Sequence, residues 1–398
     1  IAFLNALEDY GTGKNRDELF AVLTTLEGNR ESTDKATLSD PGPDLSGLSS
    51  SSQAVITEIA KTLKTILPDV PDANLENDWV YLCSEIRADI IMQPKKALEE
   101  INNVLDLIRR VDNARMFMIS NSVDRKVTLD IIGNFVGKLD SEQPSVRQRY
   151  APRDRLVERL RSREPYLDKP VYVGLVNEGT RNGVLIFSAR QAGTYDTSDA
   201  AVLNFLTGKL YSGGGPHGLF MKTWAAGLAY SNGYRINQGN GRARYYAERC
   251  PDVAETMRFV AGELMKATDD PDLTDYAVAQ VFLRSRAPSK YEQRGEAMAS
   301  DLADGITPER VRAFRNKVLQ VRNRDGLYDD LKTRMEAVYG QVLIGYGPSL
   351  AESNDGVFFL IGPESQFESL EQHIETVEGK QVAHRLYPRD YWLTMKRK

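Results

Sequence analysis

The sequence predicts an α+β fold, because its strand-like and helix-like segments come in groups instead of alternating along the chain. Strand-like segments lie between residues 171 and 248, and helical periodicity dominates residues 252–340. A second short group follows over residues 357–387, with a strand, a helix and a strand. Because the strands cluster in sequence, we expect an antiparallel sheet with helices packed on one of its faces.

The length and composition describe a chain that can bury a sizeable core. Its 398 residues fit two domains, and 41% of them are hydrophobic against 27% charged. The net charge of −5 argues against a nucleic-acid partner, which usually meets a basic face. No stretch approaches the roughly 18 apolar residues of a membrane span, so no membrane partner is predicted. We interpret the start at Ile1 as that of a processed or excised product, and the compartment stays open.

The first part of the chain divides into segments of different composition. Residues 1–53 contain a predicted N-terminal helix and then a Ser-, Pro- and Gly-rich stretch, which is typical of a flexible segment. Residues 54–145 predict helices, a buried strand and a closing helix, which is how an α+β domain ends. Residues 146–168 are polar and predict a connector. The predicted helices are 16–29, 54–67, 77–92, 95–110 and 128–139, and the predicted strand is 114–120.

Residues 169–398 are predicted to form a complete C-terminal α+β domain. Its first two strands are joined by a turn through Gly179 and Asn182. Thr307 and Pro308 mark the start of one helix, as an N-cap and a first-turn proline. The predicted strands are 171–176, 184–190, 228–237, 242–248, 357–361 and 384–387, and the predicted helices are 252–267, 272–286, 289–302, 308–320, 325–340 and 364–376.

A glycine-rich loop separates two helical segments inside residues 197–234. Gly213, Gly214, Gly215 and Pro216 stop the first helix. The loop has neither the G-K-[ST] of a phosphate loop nor the strand that precedes a dinucleotide fingerprint. Two interpretations stay open: a helix–helix turn that needs a positive φ at a glycine, or a functional loop beside a substrate cleft.

The sequence offers no catalytic metal site of its own. A hydrolytic zinc needs three protein ligands, usually with two histidines on one helix face. The 3 histidines are His217, His373 and His384, and no two of them have that spacing. We expect His373 and His384 at the surface or as helix caps. No G-x-S-x-G elbow is present, and Cys83 and Cys250 are predicted to be buried.

The stretch LFMKTWAAGLAY, residues 219–230, carries a resemblance to a known family. Its ends, Leu219-Phe220 and Gly227-Leu228-Ala229-Tyr230, resemble the C-terminal repeat of the pitrilysin/insulinase (M16) zinc metallopeptidases, most closely their presequence-protease branch. The start of the strand at Pro170, residues 95–139 and residues 307–320 resemble further family segments in the same order. The resemblance implies an M16-type α/β roll, preceded by part of a second similar unit.

The family resemblance also implies the residues of a site. Tyr230 would support the transition state, and the peptide would lie against the glycine loop and the helix after it. The family arginine is missing, because Trp224 or Thr223 stands in its place, and Lys222 is the nearest cation. Trp224 as a core residue and Tyr230 as an ordinary strand tyrosine are the plain alternatives. The implied substrate-binding residues are Gly213, Gly214, Gly215, His217, Lys222, Trp224 and Tyr230.

The implied function is that of a non-catalytic C-terminal half. It would form the substrate-binding wall of a peptide-degrading chamber and bind unfolded peptide by edge-strand pairing. Zinc and the general base would come from an N-terminal catalytic half, in the same polypeptide or in a partner subunit. Two alternatives stay open: a pseudo-peptidase module that only binds or scaffolds, and an unrelated α+β enzyme with a site built from scattered residues.

Overall fold

The structure is a computed structural model of the chain. It describes residues 13–29, 34–38, 45–70, 72, 75–91, 94–111, 116, 118–139, 171–285, 289–347, 355–379 and 382–386. The predicted connector over 146–168 lies outside these ranges. No helix in the described ranges combines the length and the apolar character needed to cross a bilayer.

The N-terminal helices pack around a small core of their own. They are α1 (Gly13–Gly28), the short α2 (Lys35–Leu38), α3 (Ser50–Ile66) and α4 (Leu75–Ile91). Trp79 is fully buried in this core, and its indole N–H donates to the backbone oxygen of Leu26 at 2.8 Å. The other buried members include Leu19, Leu23, Leu38, Ile56, Leu63, Leu82 and Cys83.

The expectation of a loop throughout residues 31–53 is wrong in two places. The short helix α2 lies inside that stretch, and α3 begins at Ser50. The Ser49 side chain accepts a hydrogen bond from the backbone N–H of Ser52, so the serine run is an N-cap and a first turn. A composition typical of linkers therefore hides a helix start.

Two helices precede the C-terminal domain, the first as predicted over 95–110 and the second starting earlier than predicted. They are α5 (Pro94–Arg109) and α6 (Ser122–Val136). Asn121 caps α6 by accepting from the N–H groups of Val123 and Asp124, so the helix starts earlier than residue 128. The strand predicted over 114–120 is wrong for its described residues, 116 and 118–120, which pair with no described strand.

The C-terminal domain contains a mixed six-stranded sheet with the order β3-β4-β2-β5-β1-β6. The α+β class is confirmed, but the sheet is not antiparallel throughout. Pairs β3·β4, β2·β4 and β2·β5 are antiparallel, whereas β1 pairs in parallel with both β5 and β6. The strands are β1 (Val171–Val176), β2 (Gly183–Arg190), β3 (Ser231–Asn237), β4 (Arg242–Cys250), β5 (Val357–Gly362) and β6 (His384–Leu386).

The parallel pairs follow from the last helix of the domain, α15 (Glu364–Glu378). This helix returns the chain across the sheet after β5, so that β6 starts at the same end and runs in the same direction. The helices before it are α7 (Asp199–Thr207), α8 (Leu219–Ala225), α9 (Val253–Met265), α10 (Leu273–Ser285), α11 (Tyr291–Ala303), α12 (Pro308–Arg322), α13 (Leu327–Thr333) and α14 (Met335–Tyr339). The single helix predicted over 325–340 is thus divided at Arg334.

The two faces of the sheet differ in polarity. One face forms the main core with the helices, and there Phe358 stacks on Tyr172 at 4.9 Å and meets Phe187 edge-to-face at 4.6 Å. On the other face, β1, β5 and β6 carry apolar residues and β3 and β4 carry mostly polar ones, whereas β2 carries both, with Val184 and Ile186 followed by Ser188 and Arg190. Side chains alternate between the two faces along a strand, so every second residue of β3 and β4 lies on the polar face. Arg235 and Arg244 are two of these residues, and they lie opposite each other across the strand pair.

The two cysteines are buried, as predicted, and neither forms a disulfide. Burial raises the pKa of the Cys83 thiol to about 12 and that of Cys250 to about 11. Both thiols are therefore protonated at neutral pH and unreactive. His384 lies in β6, where it caps no helix.

His373 is buried within α15, so the expectation of a surface or capping role is wrong. Its Nε2 has no hydrogen-bond partner among the described residues. Burial, helped by the nearby Arg258, lowers the pKa of His373, while Asp252 and the backbone of Ile344 act in the opposite direction. The imidazole is therefore held neutral in the folded chain.

We expect acid to destabilise the chain through His373. Its pKa is lower in the folded than in the unfolded state, so the unfolded state binds the proton first as the pH falls. The free energy of unfolding is highest above the unfolded-state pKa of about 6.5. It falls as the pH drops from there towards the lower pKa of the folded state. Urea unfolding at mildly alkaline and mildly acidic pH should show a smaller loss for His373→Gln than for the native chain. An equal loss in both would contradict this account.

Candidate functional site: a cleft along an edge strand

A cleft of about 800 Å³ follows strand β3. Within the described residues β3 pairs only with β4, so half of its backbone N–H and C=O groups face away from the sheet. The consecutive residues 232–237 line the cleft, and their side chains alternate between the two faces of the sheet. The cleft therefore wraps around the free edge of β3. The segment after α7, through Gly213 and Gly214, forms part of its wall.

The glycine loop is a tightly built turn. Gly213 has φ +94°, and a Cβ there would lie 2.4 Å from the hydroxyl oxygen of Tyr276. That hydroxyl donates to the backbone oxygen of Ser212 at 2.9 Å. Gly218 is equally restricted, because its Cβ would lie 2.5 Å from the Gly213 oxygen. The turn thus needs the positive φ predicted for it, and it also lies beside a cleft.

His217 belongs to the loop but not to the lining of the cleft, and the same is true of Gly215. The imidazole meets the Tyr276 ring edge-on at 4.7 Å. Its Nε2 is buried and has no hydrogen-bond partner in the described part of the chain. Burial lowers the pKa of His217, so the imidazole is neutral at pH 7 and packs as a structural group.

The residues at the missing arginine position do not replace its free guanidinium. Lys222 forms an ion pair with Glu263 at 3.0 Å. Thr223 is buried, and its hydroxyl donates to the backbone oxygen of Leu219 at 2.8 Å. Trp224 lies outside the core with 52% of its surface exposed.

Tyr230 lies directly before β3, with 64% of its surface exposed. Its backbone N–H donates to the oxygen of Glu248 at 3.0 Å, which fixes it beside the end of β4. Tyr230 does not line the cleft itself, and it lies two residues before Asn232, the first residue of β3 that does. Tyr230 therefore does not lie in the core, and its ring contacts no other tyrosine ring among the described residues.

Arg249 is a site residue that the sequence did not single out. Its guanidinium lies 4.7 Å from the centre of the Tyr230 ring, which is the geometry of a cation–π contact. Its φ of +56° is unusual for a non-glycine residue. The predicted pairing of 228–237 with 242–248 could have placed it there, because it puts residue 249 close to residue 230.

The described residues do not fit a zinc ion. No group of three His, Cys, Asp or Glu side chains in those ranges could hold a metal. The histidines lie in the glycine loop, in α15 and in β6, and His373 is buried in packing. We therefore derive no metal chemistry from this part of the chain.

The comparisons with known proteins give matches among solved structures. No protein-family model and no curated protein matches the sequence. The peptidase M16 inactive domain from Pseudomonas fluorescens is 16% identical, over 60% of this chain and 51% of that chain, with a TM-score of 0.37. A protease from Helicobacter pylori is 11% identical, over 62% of this chain and 54% of that chain, with a TM-score of 0.39.

The chain is similar to M16-type peptidases. That is the resemblance predicted from residues 197–234, while the presequence-protease branch stays a prediction. The chain spans about half the length of these two structures, at 51% and 54%. Its activity, substrates and partners are therefore matters for proposal.

We expect Gly213→Ala to destabilise the domain by about 1–3 kcal/mol, because alanine strains the backbone at this φ and collides with Tyr276. Gly214→Ala is the matched control, since its Cβ meets nothing within 4 Å and its φ is not positive. Urea denaturation of both variants gives the two free energies of unfolding. Equal values would show that the turn does not need glycine at residue 213.

Proposed function

We propose that this chain is the non-catalytic half of an M16-type zinc peptidase and forms the peptide-binding wall of its chamber. The observation that carries the proposal is the cation–π pair of Tyr230 and Arg249, directly before an edge strand whose residues 232–237 line a cleft. An exposed phenol and a guanidinium are hydrogen-bond donors that suit a developing oxyanion. The zinc and the general base would belong to a separate catalytic half.

The free edge of β3 supports binding of an extended peptide. A peptide that adds to such an edge gains main-chain hydrogen bonds whatever its sequence, which suits an enzyme that degrades unfolded chains. The cleft around β3 leaves room for the peptide side chains on both faces of the sheet. Tyr230 would then lie close to the peptide backbone at one end.

An exposed apolar stripe on α5 supports a partner half. Its members recur at intervals of three, four and seven residues, which places them on one face of the helix. A contiguous apolar surface of this kind marks an interaction site. We propose that the catalytic half, or the segment that joins it to this chain, covers the stripe. The exposed members are Ile101, Val104, Leu105 and Ile108.

The pseudo-peptidase alternative is favoured by one observation. Lys222 is paired with Glu263 and the Thr223 hydroxyl donates to Leu219, so neither replaces the free guanidinium of the family arginine. A scaffold module would tolerate that loss. Arg249 weighs against it, because this residue supplies a cation to Tyr230 from a different strand.

Peptide binding can be tested without the catalytic half. Fluorescence anisotropy would compare an unstructured labelled peptide with the same peptide N-methylated at alternate residues, which cannot donate along one edge. We expect the methylated peptide to bind at least about tenfold more weakly, which corresponds to one or two lost hydrogen bonds. Equal affinities would contradict edge-strand pairing. An absence of binding by both peptides would contradict a peptide-binding wall.

A further inference from the structure

Lys209 is a buried cation without an acidic partner. It follows α7 directly, and only 7% of its surface is exposed. Within the described residues its ammonium forms no hydrogen bond and no ion pair, and it lines the cleft along β3. The charged groups that act on it most are Arg284 and Arg235, which are both cations. A buried charge in such surroundings is costly unless a ligand compensates it.

The rest of the cleft has the same sign of charge. Arg235 and Arg244 face each other across the β3·β4 pair, although like charges directly opposite destabilise a sheet. Among the described residues, Arg235 donates to the neutral hydroxyl of Tyr246 and forms no ion pair. Of the cleft arginines, Arg242 has a carboxylate partner, Asp355, at 3.2 Å. The lining contains no Asp or Glu, whereas the whole chain has a net charge of −5.

The cations lie on both sides of the free strand edge. Lys209 and Arg284 belong to the helical layer on the core face, whereas Arg235 and Arg244 project from the opposite face of the sheet. A peptide that extends the sheet beside β3 would direct alternate side chains to these two faces. Neighbouring acidic residues would thus each meet a cation. Burial together with Arg284 and Arg235 lowers the pKa of Lys209 to about 8, which a bound carboxylate would reverse.

We propose that the β3 cleft selects acidic peptide segments, with a peptide carboxylate bound at Lys209 and Arg284 on the core face of the sheet. This inference rests on the proposed function, because it specifies the substrate class of the same cleft. The carboxylate comes from an Asp or Glu side chain or from the peptide C-terminus. Both sources have the chemistry that an ammonium and a guanidinium recognise.

The test uses fluorescence anisotropy with matched peptides. One labelled unstructured peptide carries neighbouring Glu residues, a second has Gln in their place, and each is made with a free and with an amidated C-terminus. At low salt we expect carboxylate-bearing peptides to bind about tenfold more tightly than the Gln, amidated peptide. The advantage should shrink at about 0.3 M salt. If Glu→Gln lowers the affinity, the bound carboxylate belongs to a side chain. If amidation lowers the affinity, it belongs to the peptide C-terminus.

Variants assign the effect to Lys209. Lys209→Met keeps the length and burial of the side chain without its charge, and Arg284→Gln changes an exposed residue, so at least the second variant should fold. Both should bind the acidic peptide more weakly and lose its preference over the Gln, amidated peptide. Lys266→Met, on an exposed lysine outside the cleft, should behave like the native chain. Equal binding of all four peptides by the native chain would overturn the charge selectivity alone, whereas no binding of any peptide would overturn the peptide-binding wall as well.

Discussion

Tyr230→Phe is expected to lower kcat/KM of the assembled peptidase by about 100-fold, mostly through kcat. The substitution removes the exposed hydroxyl and keeps the ring that lies under Arg249 at 4.7 Å. A donor that strengthens its hydrogen bond only in the transition state affects kcat more than the binding of substrate. Steady-state turnover of a fluorogenic peptide, by this chain combined with its catalytic half, gives both constants.

The matched control for Tyr230→Phe is Tyr291→Phe. Tyr291 is also exposed, at 68%, and also lies under an arginine, Arg294, at 5.5 Å, but it belongs to α11 and not to the cleft. We expect Tyr291→Phe to turn over like the native chain. An unchanged kcat in Tyr230→Phe would leave Tyr230 as an ordinary surface tyrosine and remove transition-state support from the account.

Tyr339→Ala is expected to destabilise the C-terminal domain by about 3–5 kcal/mol, the largest effect on stability proposed for this chain. Tyr339 is fully buried, and its ring lies 4.4 Å from that of Tyr234. Its hydroxyl donates to the Thr207 oxygen at 3.1 Å and accepts from the Tyr211 N–H at 3.1 Å. The side chain therefore fixes the end of α7, which leads into Lys209 and the glycine loop.

Tyr339→Phe separates the hydroxyl from the ring. It leaves the buried N–H of Tyr211 without the Tyr339 hydroxyl, whereas the Thr207 oxygen keeps the N–H of Leu210 at 3.1 Å, and we expect it to cost about 1–3 kcal/mol. Tyr291→Ala, on an exposed tyrosine, should change the free energy of unfolding by less than about 0.5 kcal/mol. Urea denaturation measures all three variants. If Tyr339→Ala were as stable as Tyr291→Ala, Tyr339 would not hold the core together.

Local patterns in the sequence predicted most of the C-terminal domain. The grouping of strands and helices indicated α+β, and the glycine loop indicated a positive φ, which Gly213 has. Strand direction could not be predicted in the same way. It depends on how α15 crosses the sheet between β5 and β6, which is a long-range property.

The candidate site was harder to predict than the fold, because its cations come from distant parts of the chain. Arg249 reaches Tyr230 only through the β3·β4 pairing, and Arg284 reaches Lys209 only through the packing of α10 near the end of α7. In the sequence Lys209 follows an apolar helix, and nothing there distinguishes it from a solvent-exposed lysine. Its burial is visible only once Tyr339 and the helices around α7 are in place.

The burial of His373 illustrates the same limit. Glu371, Gln372 and Glu375 surround it in sequence and indicate a solvated helix face. The helical period instead turns His373 into the packed interior near Gly345, on the buried side of the helix that also carries Ile374. A single polar residue in a charged segment can thus lie in the core without a sequence signal.

The most direct test of the central claim is the turnover of a fluorogenic peptide by this chain, by a chain from the same organism that carries an H-x-x-E-H motif, and by the two together. The account predicts turnover by the assembled halves and none by this chain alone. Turnover by this chain alone would contradict the assignment of zinc to another half. An assembled but inactive pair would contradict the peptidase role and favour the scaffold.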